Sequence, residues 1–191
     1  DLNGIIHNLP TPDYDYEGGF VGRYDDKKKI KQYLSSEKFP VITITGAGGV
    51  GKTSLALKVI QELTQSDKVI FDSILWLSAK ENKLSPLGIE DIEPTLKSYE
   101  ELLDTFIQLF GFTDQLESDS IESKEKLTDT IIDLSDKILV VVDNLETITD
   151  ERIINFILDA PLKLKFLVTS RKGIGQVERR HELKQLKDKE A

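Results

Sequence analysis

The sequence predicts an α/β fold with a mostly parallel sheet of five strands and helices on both faces. Three observations predict it. Short β-branched or apolar runs recur at 41–45, 138–142 and 166–170. Stretches with apolar residues at helical spacing separate them. Strand and helix alternate along the chain, as a parallel sheet with crossover helices requires. The run Ile138-Leu139-Val140-Val141-Val142 is the clearest, because a strand without polar alternation is covered on both faces.

Taken in order, residues 1–19 read as an N-terminal linker or arm. Pro10, Pro12, Gly18 and Gly19 break any periodicity, and Asp13-Tyr14-Asp15-Tyr16-Glu17 is acidic and aromatic. Such a segment is either a solvated tail or a piece that folds over a ligand. Residues 20–191 then read as one domain. Asp25 to Leu34 predicts a short helix, with Lys27, Lys28 and Lys29 as a solvated face. Pro40 opens the strand Val41-Ile42-Thr43-Ile44-Thr45, bounded by Gly46. From Lys52 to Leu63, the residues Leu55, Ala56, Val59, Ile60 and Leu63 fall on one helical face.

A second strand ends Ile74-Leu75-Trp76-Leu77-Ser78. Ser85, Pro86, Gly88 and Pro94 signal a loop. Ser98 and Glu101 have capping-box spacing ahead of Leu102, Leu103, Phe106, Ile107 and Phe110, and Gly111 stops that helix. Residues 113–126 are polar and predict a surface loop; Leu127, Ile131 and Leu134 mark a further helix. After the strand 138–142, Ile153, Ile154, Ile157 and Leu158 predict a helix ending before Pro161. Phe166-Leu167-Val168-Thr169-Ser170 is the next strand, and His181 to Leu186 predicts an edge strand.

Composition narrows the chemistry. The chain has 191 residues, 39% hydrophobic and 31% charged, which is long enough for one sizeable core. Its net charge is −9, the wrong sign for a general nucleic-acid binder. Cysteine is absent, which excludes disulfides, thiolate metal sites and thiol nucleophiles. The two histidines, His7 and His181, lie near opposite ends. No apolar run approaches the roughly 18 residues of a membrane span, and no signal peptide is evident. The expectation is a cytoplasmic protein without direct nucleic-acid or membrane partners. Methionine is also absent, so the chain is expected to be a fragment of a longer one.

The string Gly46-Ala47-Gly48-Gly49-Val50-Gly51-Lys52-Thr53 fits G-x-x-x-x-G-K-S/T, the P-loop, with a predicted strand before it and a helix after it. Glycines let successive backbone N–H groups turn toward phosphate oxygens. The helix beginning near Lys52 aims its positive end at the same place, and Ser54 lies in its first turn. Lys52 supplies a mobile charge for the β- and γ-phosphates, and the Thr53 hydroxyl is a magnesium ligand. The fold is thus a P-loop NTPase three-layer sandwich. Gly46, Gly48 and Gly51 also fit the dinucleotide fingerprint G-x-G-x-x-G, with Asp72 about 20 residues on. That reading gives Lys52-Thr53 no task, and Asp72 precedes its strand rather than closing it.

A P-loop needs a second magnesium anchor. Asp143 ends the strand 138–142, where a Walker B aspartate sits, although aspartate is also common in turns. Asn144 follows and cannot act as a base. Glu146 either orients water or starts a helix. Arg171 ends the strand 166–170 and either contacts a γ-phosphate or is a surface arginine.

Together these residues resemble the nucleotide-binding domain of STAND NTPases, in particular the bacterial NB-ARC-like branch. Phe20-Val21-Gly22-Arg23 looks like the hydrophobic-Gly-Arg signature, residues 46–53 are the P-loop, Val140-Val141-Val142-Asp143-Asn144 is similar to the Walker B strand, and Thr169-Ser170-Arg171 looks like the sensor 1 strand. Ile74-Leu75-Trp76-Leu77-Ser78 looks like the family's second strand. The resemblance implies ATP/ADP and Mg²⁺ as cofactors, with Phe20, Val21 and Arg23 lining the adenine pocket and Arg171 reading the γ-phosphate. It implies a molecular switch with slow hydrolysis, self-association of the full-length protein on activation, and a place in antiphage defence. It also implies a helical lid and a winged-helix subdomain after the sensor strand. The chain stops at Ala191, so both are expected to be absent and the fragment to be a monomer with weak turnover. Asn144 departs from relatives with a second acid there. Two alternatives stand beside this reading: a self-sufficient P-loop enzyme such as a small-molecule kinase, and an AAA+-like DNA-associated ATPase. The sequence alone leaves ATP and GTP open; no N-K-x-D string is present, and the resemblance points to adenine.

Overall fold

A computed structural model of the chain describes residues 4–11, 22–66, 70–79, 82–85, 88–91, 96–115, 120–175 and 177–186. The elements run β1 (Ile6–His7), α1 (Tyr24–Ser35), β2 (Val41–Thr45), α2 (Lys52–Thr64), β3 (Ser73–Ser78), β4 (Asn82–Ser85), β5 (Gly88–Asp91), α3 (Tyr99–Leu109), α4 (Ile121–Leu134), β6 (Ile138–Asp143), α5 (Glu151–Leu158), β7 (Leu164–Ser170) and β8 (Glu178–Glu182). The main sheet has six strands in the order β1-β3-β6-β7-β2-β8. Every pair in it is parallel.

The strands of the centre are buried on both faces because their residues alternate between two apolar layers. Val140, Val142, Phe166 and Val168 pack with Leu102, Phe106, Ile131 and Ile153 from α3, α4 and α5. Ile42, Ile44, Val141 and Leu167 pack with Ile30, Leu34, Leu55, Val59 and Ile60 from α1 and α2. Each fully buried Ile, Leu or Val contributes about 1.5–3 kcal/mol, which is what holds the helices to the sheet. The result is a three-layer sandwich, as the sequence predicts. The capping box of α3 is also as predicted: Glu101 N–H donates to Ser98 Oγ at 3.3 Å, and Ser98 N–H donates back to Glu101 Oε2 at 3.2 Å.

Four features differ from the sequence reading. The sheet gains a sixth strand, β1, from within the segment read as an arm. Ile6 and His7 pair with Ser73 and Ile74. Asn8 then continues the ladder with its side chain, donating from Nδ2 to Trp76 O at 3.0 Å and accepting from Trp76 N–H at 2.6 Å. An amide so placed does the work of a peptide group, so a very short strand is enough to close this edge. Second, β4 and β5 form an antiparallel hairpin where turn residues predict a loop.

Third, α4 starts at Ile121 rather than near Leu127. Ser120 caps it, accepting from Ser123 N–H at 3.3 Å, and Lys126 pairs with Glu122 at 2.8 Å. Its first turns face solvent, so no apolar period announces them. Fourth, β8 occupies Glu178–Glu182 rather than 181–186. Two of its inward positions are polar, Glu178 and His181, and each finds a partner on another element. His181 Nε2 lies 2.7 Å from Asp26 Oδ1 of α1.

Candidate functional site

The strand order decides what meets at the carboxyl ends. β7 lies between β2 and β6. The loop after β2, the end of β6 and the end of β7 therefore share one crevice, where open parallel sheets bind ligands. A cavity of about 430 Å³ opens there, lined by Gly48, Gly49, Gly51, Lys52, Thr53, Ser54, Asn144, Glu146, Thr147, Thr169 and Arg171.

The loop 46–51 turns as its glycines allow. Gly49 and Gly51 have φ of 75° and 94°, in the left-handed region. Gly46 is needed for space as well: a Cβ there would lie 2.6 Å from Leu183 O, just past β8. Lys52 reaches back across the loop and donates to Gly46 O and Ala47 O, both at 2.9 Å. Burial is the chief influence on this ammonium and lowers its pKa; Glu146 pulls it up, Arg171 pushes it down and Asp143 pulls it up, leaving it below the ordinary lysine value. A cation held in this way gains from an arriving phosphate.

Asp143 is 1% exposed and is the centre of the polar cluster. Its Oδ1 accepts from the Thr53 hydroxyl at 2.7 Å and from the Thr169 hydroxyl at 2.6 Å, and Ser78 Oγ lies 3.3 Å from Oδ2. Thr169 in turn accepts from Asn144 N–H at 2.9 Å. Asn144 has φ of 65°, a left-handed conformation that asparagine tolerates better than most residues. That turn brings Glu146 to the cavity, where its Oε1 is 3.4 Å from Arg171 Nε. The Glu146 side chain is 18% exposed and that of Arg171 68%, so the arginine is the partner open to solvent.

Lys52, Thr53, Ser54, Gly48, Gly49, Gly51, Glu146 and Arg171 thus line one cavity, and Asp143 lies beneath it, hydrogen-bonded to Thr53. Gly46, Ala47 and Val50 contribute carbonyls that hold the loop: the first two accept from Lys52, and Val50 O accepts from Arg23 at 2.9 Å. Arg23 is a brace, with its other nitrogen donating to Lys184 O at 2.6 Å and a side chain only 7% exposed. Phe20 and Val21 lie outside the described residues. The sequence reading assigns no role to Thr169, although a hydroxyl at the end of an apolar strand, two residues before Arg171, is the available signal.

The donor set tests the expected magnesium. Thr53 and Asp143 offer a hydroxyl and a carboxylate at one point, all oxygen, which suits a hard cation. The residues therefore fit a magnesium–nucleotide ligand. The dinucleotide alternative loses its acid. Asp72 accepts from Lys137 N–H at 2.7 Å at the opposite end of the sheet, just before β3. Among the described residues no cluster of three or more His, Asp or Glu forms a separate metal site. No helix among them is long and apolar enough to cross a membrane.

Comparison with known proteins agrees with this fold. The sequence profile of the NB-ARC domain matches residues 23–191. The chain is 29% identical to the transcription activator GutR of Bacillus subtilis over 179 residues, covering 92% of this chain and 19% of GutR. It is 33% identical over 120 residues to an Arabidopsis thaliana protein named Probable disease resistance protein At1g58390, covering 52% of this chain and 13% of that one. The chain thus spans a fifth or less of the length of these relatives. Among solved structures, the Walker-type ATPase PABY2304 of Pyrococcus abyssi superposes with a TM-score of 0.60 at 14% identity, covering 95% of this chain and 58% of that one. The structure of the Drosophila ORC bound to DNA gives 0.56 at 12% identity, over 92% and 49%. At those identities the likeness is one of fold.

Proposed function

The chain belongs to the NB-ARC family, and on that footing we propose that it is the ATP/ADP-binding switch module of a STAND signalling ATPase. The carrying observation is the joined cluster Thr53–Asp143–Thr169, set between Lys52 and the Glu146–Arg171 pair at one cavity. The P-loop amides and Lys52 bind the phosphates. Bound Mg²⁺ would supply charge neutralisation across the β- and γ-phosphates, held by Thr53 and Asp143. Arg171, exposed and paired only to Glu146 at 3.4 Å among the described contacts, turns toward a γ-phosphate and away when it is absent.

Slow turnover is supported by the residue after Asp143. Glu146, which lies 3.4 Å from Arg171, is the acid nearest to the role of orienting water, and no second acid directly follows Asp143. Asn144 is held in a turn and offers no base. A site that binds well and hydrolyses slowly times a change of state rather than processing substrate. We further propose that this state controls self-association of a longer, cytoplasmic protein, and that the system is bacterial antiphage defence. Defence is supported by the disease resistance names of the Arabidopsis relatives.

Calorimetric titration with ATP and ADP, each with and without Mg²⁺ and alongside a turnover assay, tests the switch reading. Binding with little turnover is the expected result; brisk turnover without a trigger overturns it. Phage plating on cells carrying the full-length gene, with and without Lys52→Ala, tests the defence role, and equal plating on both overturns it.

A further inference from the structure

The reading above gives Arg171 the γ-phosphate but leaves open what holds the backbone that carries it. Residues 171–175 have no regular secondary structure. They are organised around one carboxylate. Glu178, the first residue of β8, has a side chain 1% exposed. Its Oε2 accepts from Ile174 N–H at 2.9 Å and from the Thr43 hydroxyl, while Oε1 accepts from Gly175 N–H at 3.2 Å and from Arg180 Nη2 at 2.8 Å. Gly173 makes room for this: a Cβ there would lie 2.1 Å from Glu178 Oε1 and 1.9 Å from Arg180 Nη2. Ile174 packs against the apolar layer below.

Burial by itself raises the pKa of this carboxyl, but the bonds from Ile174, Thr43, Arg180 and Gly175 outweigh it, and the group lies below the ordinary glutamate value. It is therefore an anion at neutral pH, and both oxygens accept. Thr43 belongs to β2, the strand that feeds the P-loop, so one side chain ties the segment after Arg171 to the strand before Gly46.

We propose that Glu178 is a positioning residue for nucleotide discrimination: it fixes the backbone of residues 173–175 so that Arg171 is presented to the γ-phosphate in register with the P-loop. The proposal rests on the sensor reading of Arg171. A purely structural Glu178 would affect ATP and ADP alike, or only stability. A positioning Glu178 affects ATP selectively, because only ATP carries the phosphate that Arg171 contacts.

The test is the ratio of MgATP to MgADP affinity, measured by calorimetry for the wild type, Arg171→Ala, Glu178→Gln and the double variant, with thermal melts for each. Glutamine keeps the shape but sets an NH₂ against N–H or O–H donors, so one side of the clamp is lost. The expected result is a loss in ATP affinity of about 10-fold or more in Arg171→Ala, as for a charge-assisted hydrogen bond. The same direction is expected in Glu178→Gln, with ADP affinity unchanged in both and no further loss in the double variant. If Arg171→Ala shifts the ratio and a folded Glu178→Gln does not, the inference is overturned alone. If Arg171→Ala leaves the ratio unchanged, the sensor reading falls and takes the inference with it. Should Glu178→Gln fail to fold, Thr43→Val removes a single donor from the same carboxylate. A smaller shift of the ratio in the same direction is then expected, and an unchanged ratio overturns the inference.

Discussion

The Thr53 hydroxyl donates to Asp143 Oδ1 at 2.7 Å, joining the first turn of α2 to the end of β6 across the intervening β7. The same oxygen also accepts from Thr169 of β7. Three separate segments of the chain therefore converge on one buried carboxylate. Asp143→Ala is expected to lower MgATP affinity by roughly 10- to 100-fold, in line with losses at metal-site positions. Metal-free ADP affinity changes by less than about 3-fold. Titration with and without magnesium separates the two, and equal losses in both would refute a metal role.

Lys52→Ala removes the cation over the phosphates, and ATP and ADP affinity should each fall by roughly 100-fold, the scale of a lost buried charge contact. Because burial already lowers the pKa of this ammonium, wild-type affinity is expected to decline with rising pH earlier than an ordinary lysine would dictate. Titrations from pH 7 to pH 10 measure this. Unchanged affinity in the alanine variant would remove the P-loop assignment.

Gly46→Ala places a methyl 2.6 Å from Leu183 O, at a φ of 153° that disfavours a side chain. The backbone must move at the mouth of the site. A stability loss of about 1–3 kcal/mol is expected, together with weakened nucleotide binding. Denaturant unfolding and calorimetry report the two separately; a stable variant with normal binding would show that the loop and the chain past β8 are not in fixed register.

Arg23→Ala removes donors to Lys184 O and Val50 O from a side chain that is 7% exposed. Since each is a charge-assisted bond, a loss of about 2–3 kcal/mol in unfolding free energy is expected. Arg23→Lys recovers little, because one ammonium cannot reproduce the fork. A loss confined to nucleotide affinity, with stability intact, would make Arg23 a ligand contact rather than a brace.

Lys165 is buried near the amino end of β7, a central strand, and donates to Ser36 O. Burial, and secondarily Lys137, pushes its pKa down to about 8, against a partial pull upward from Glu37. Below about 8 the folded and unfolded chains both carry the proton, and the burial cost stands in full. Between about 8 and 10.5 the unfolded chain binds more protons, so stability rises with pH. Lys165→Met is expected to be about 2 kcal/mol more stable at pH 7, the burial cost less the lost hydrogen bond. The gain shrinks toward pH 10. Denaturant unfolding across that range decides it, and a variant that is less stable at pH 7 would refute it.

The central strands were legible because Ile138 to Val142 and Phe166 to Val168 are apolar on both sides, and burial on both faces is what such runs mean. Lys52, Thr53 and Asp143 were expected together because a P-loop needs a second magnesium anchor at a neighbouring strand end, and the structure brings them to one place, whereas Arg171 was expected there chiefly from the family resemblance. The rest depended on contacts between distant residues. The edge strand was expected over His181 to Leu186, whereas the ladder runs Glu178–Glu182, with Glu178 and His181 facing inward and Leu183 buried just past it. A buried glutamate is invisible to periodicity, since only its partners on β2 and residues 174–175 make burial possible. Asn8 is similar: nothing local reveals that its amide will complete a strand edge 68 residues away.

The position of β2 also governs when the site can form during synthesis. Its two ladder partners, β7 and β8, lie far beyond it in the sequence and are synthesised long after it. Until then Ile42 and Ile44 belong to a strand open on both edges, a state prone to aggregation. Closing it requires contacts between segments far apart in the sequence, the slowest kind to form. Leu183 O beside Gly46 and Lys184 O against Arg23 brace the P-loop only once β8 is in place. A nascent chain interrupted before β8 therefore carries every residue that lines the cavity and still lacks the two carbonyls that brace its P-loop.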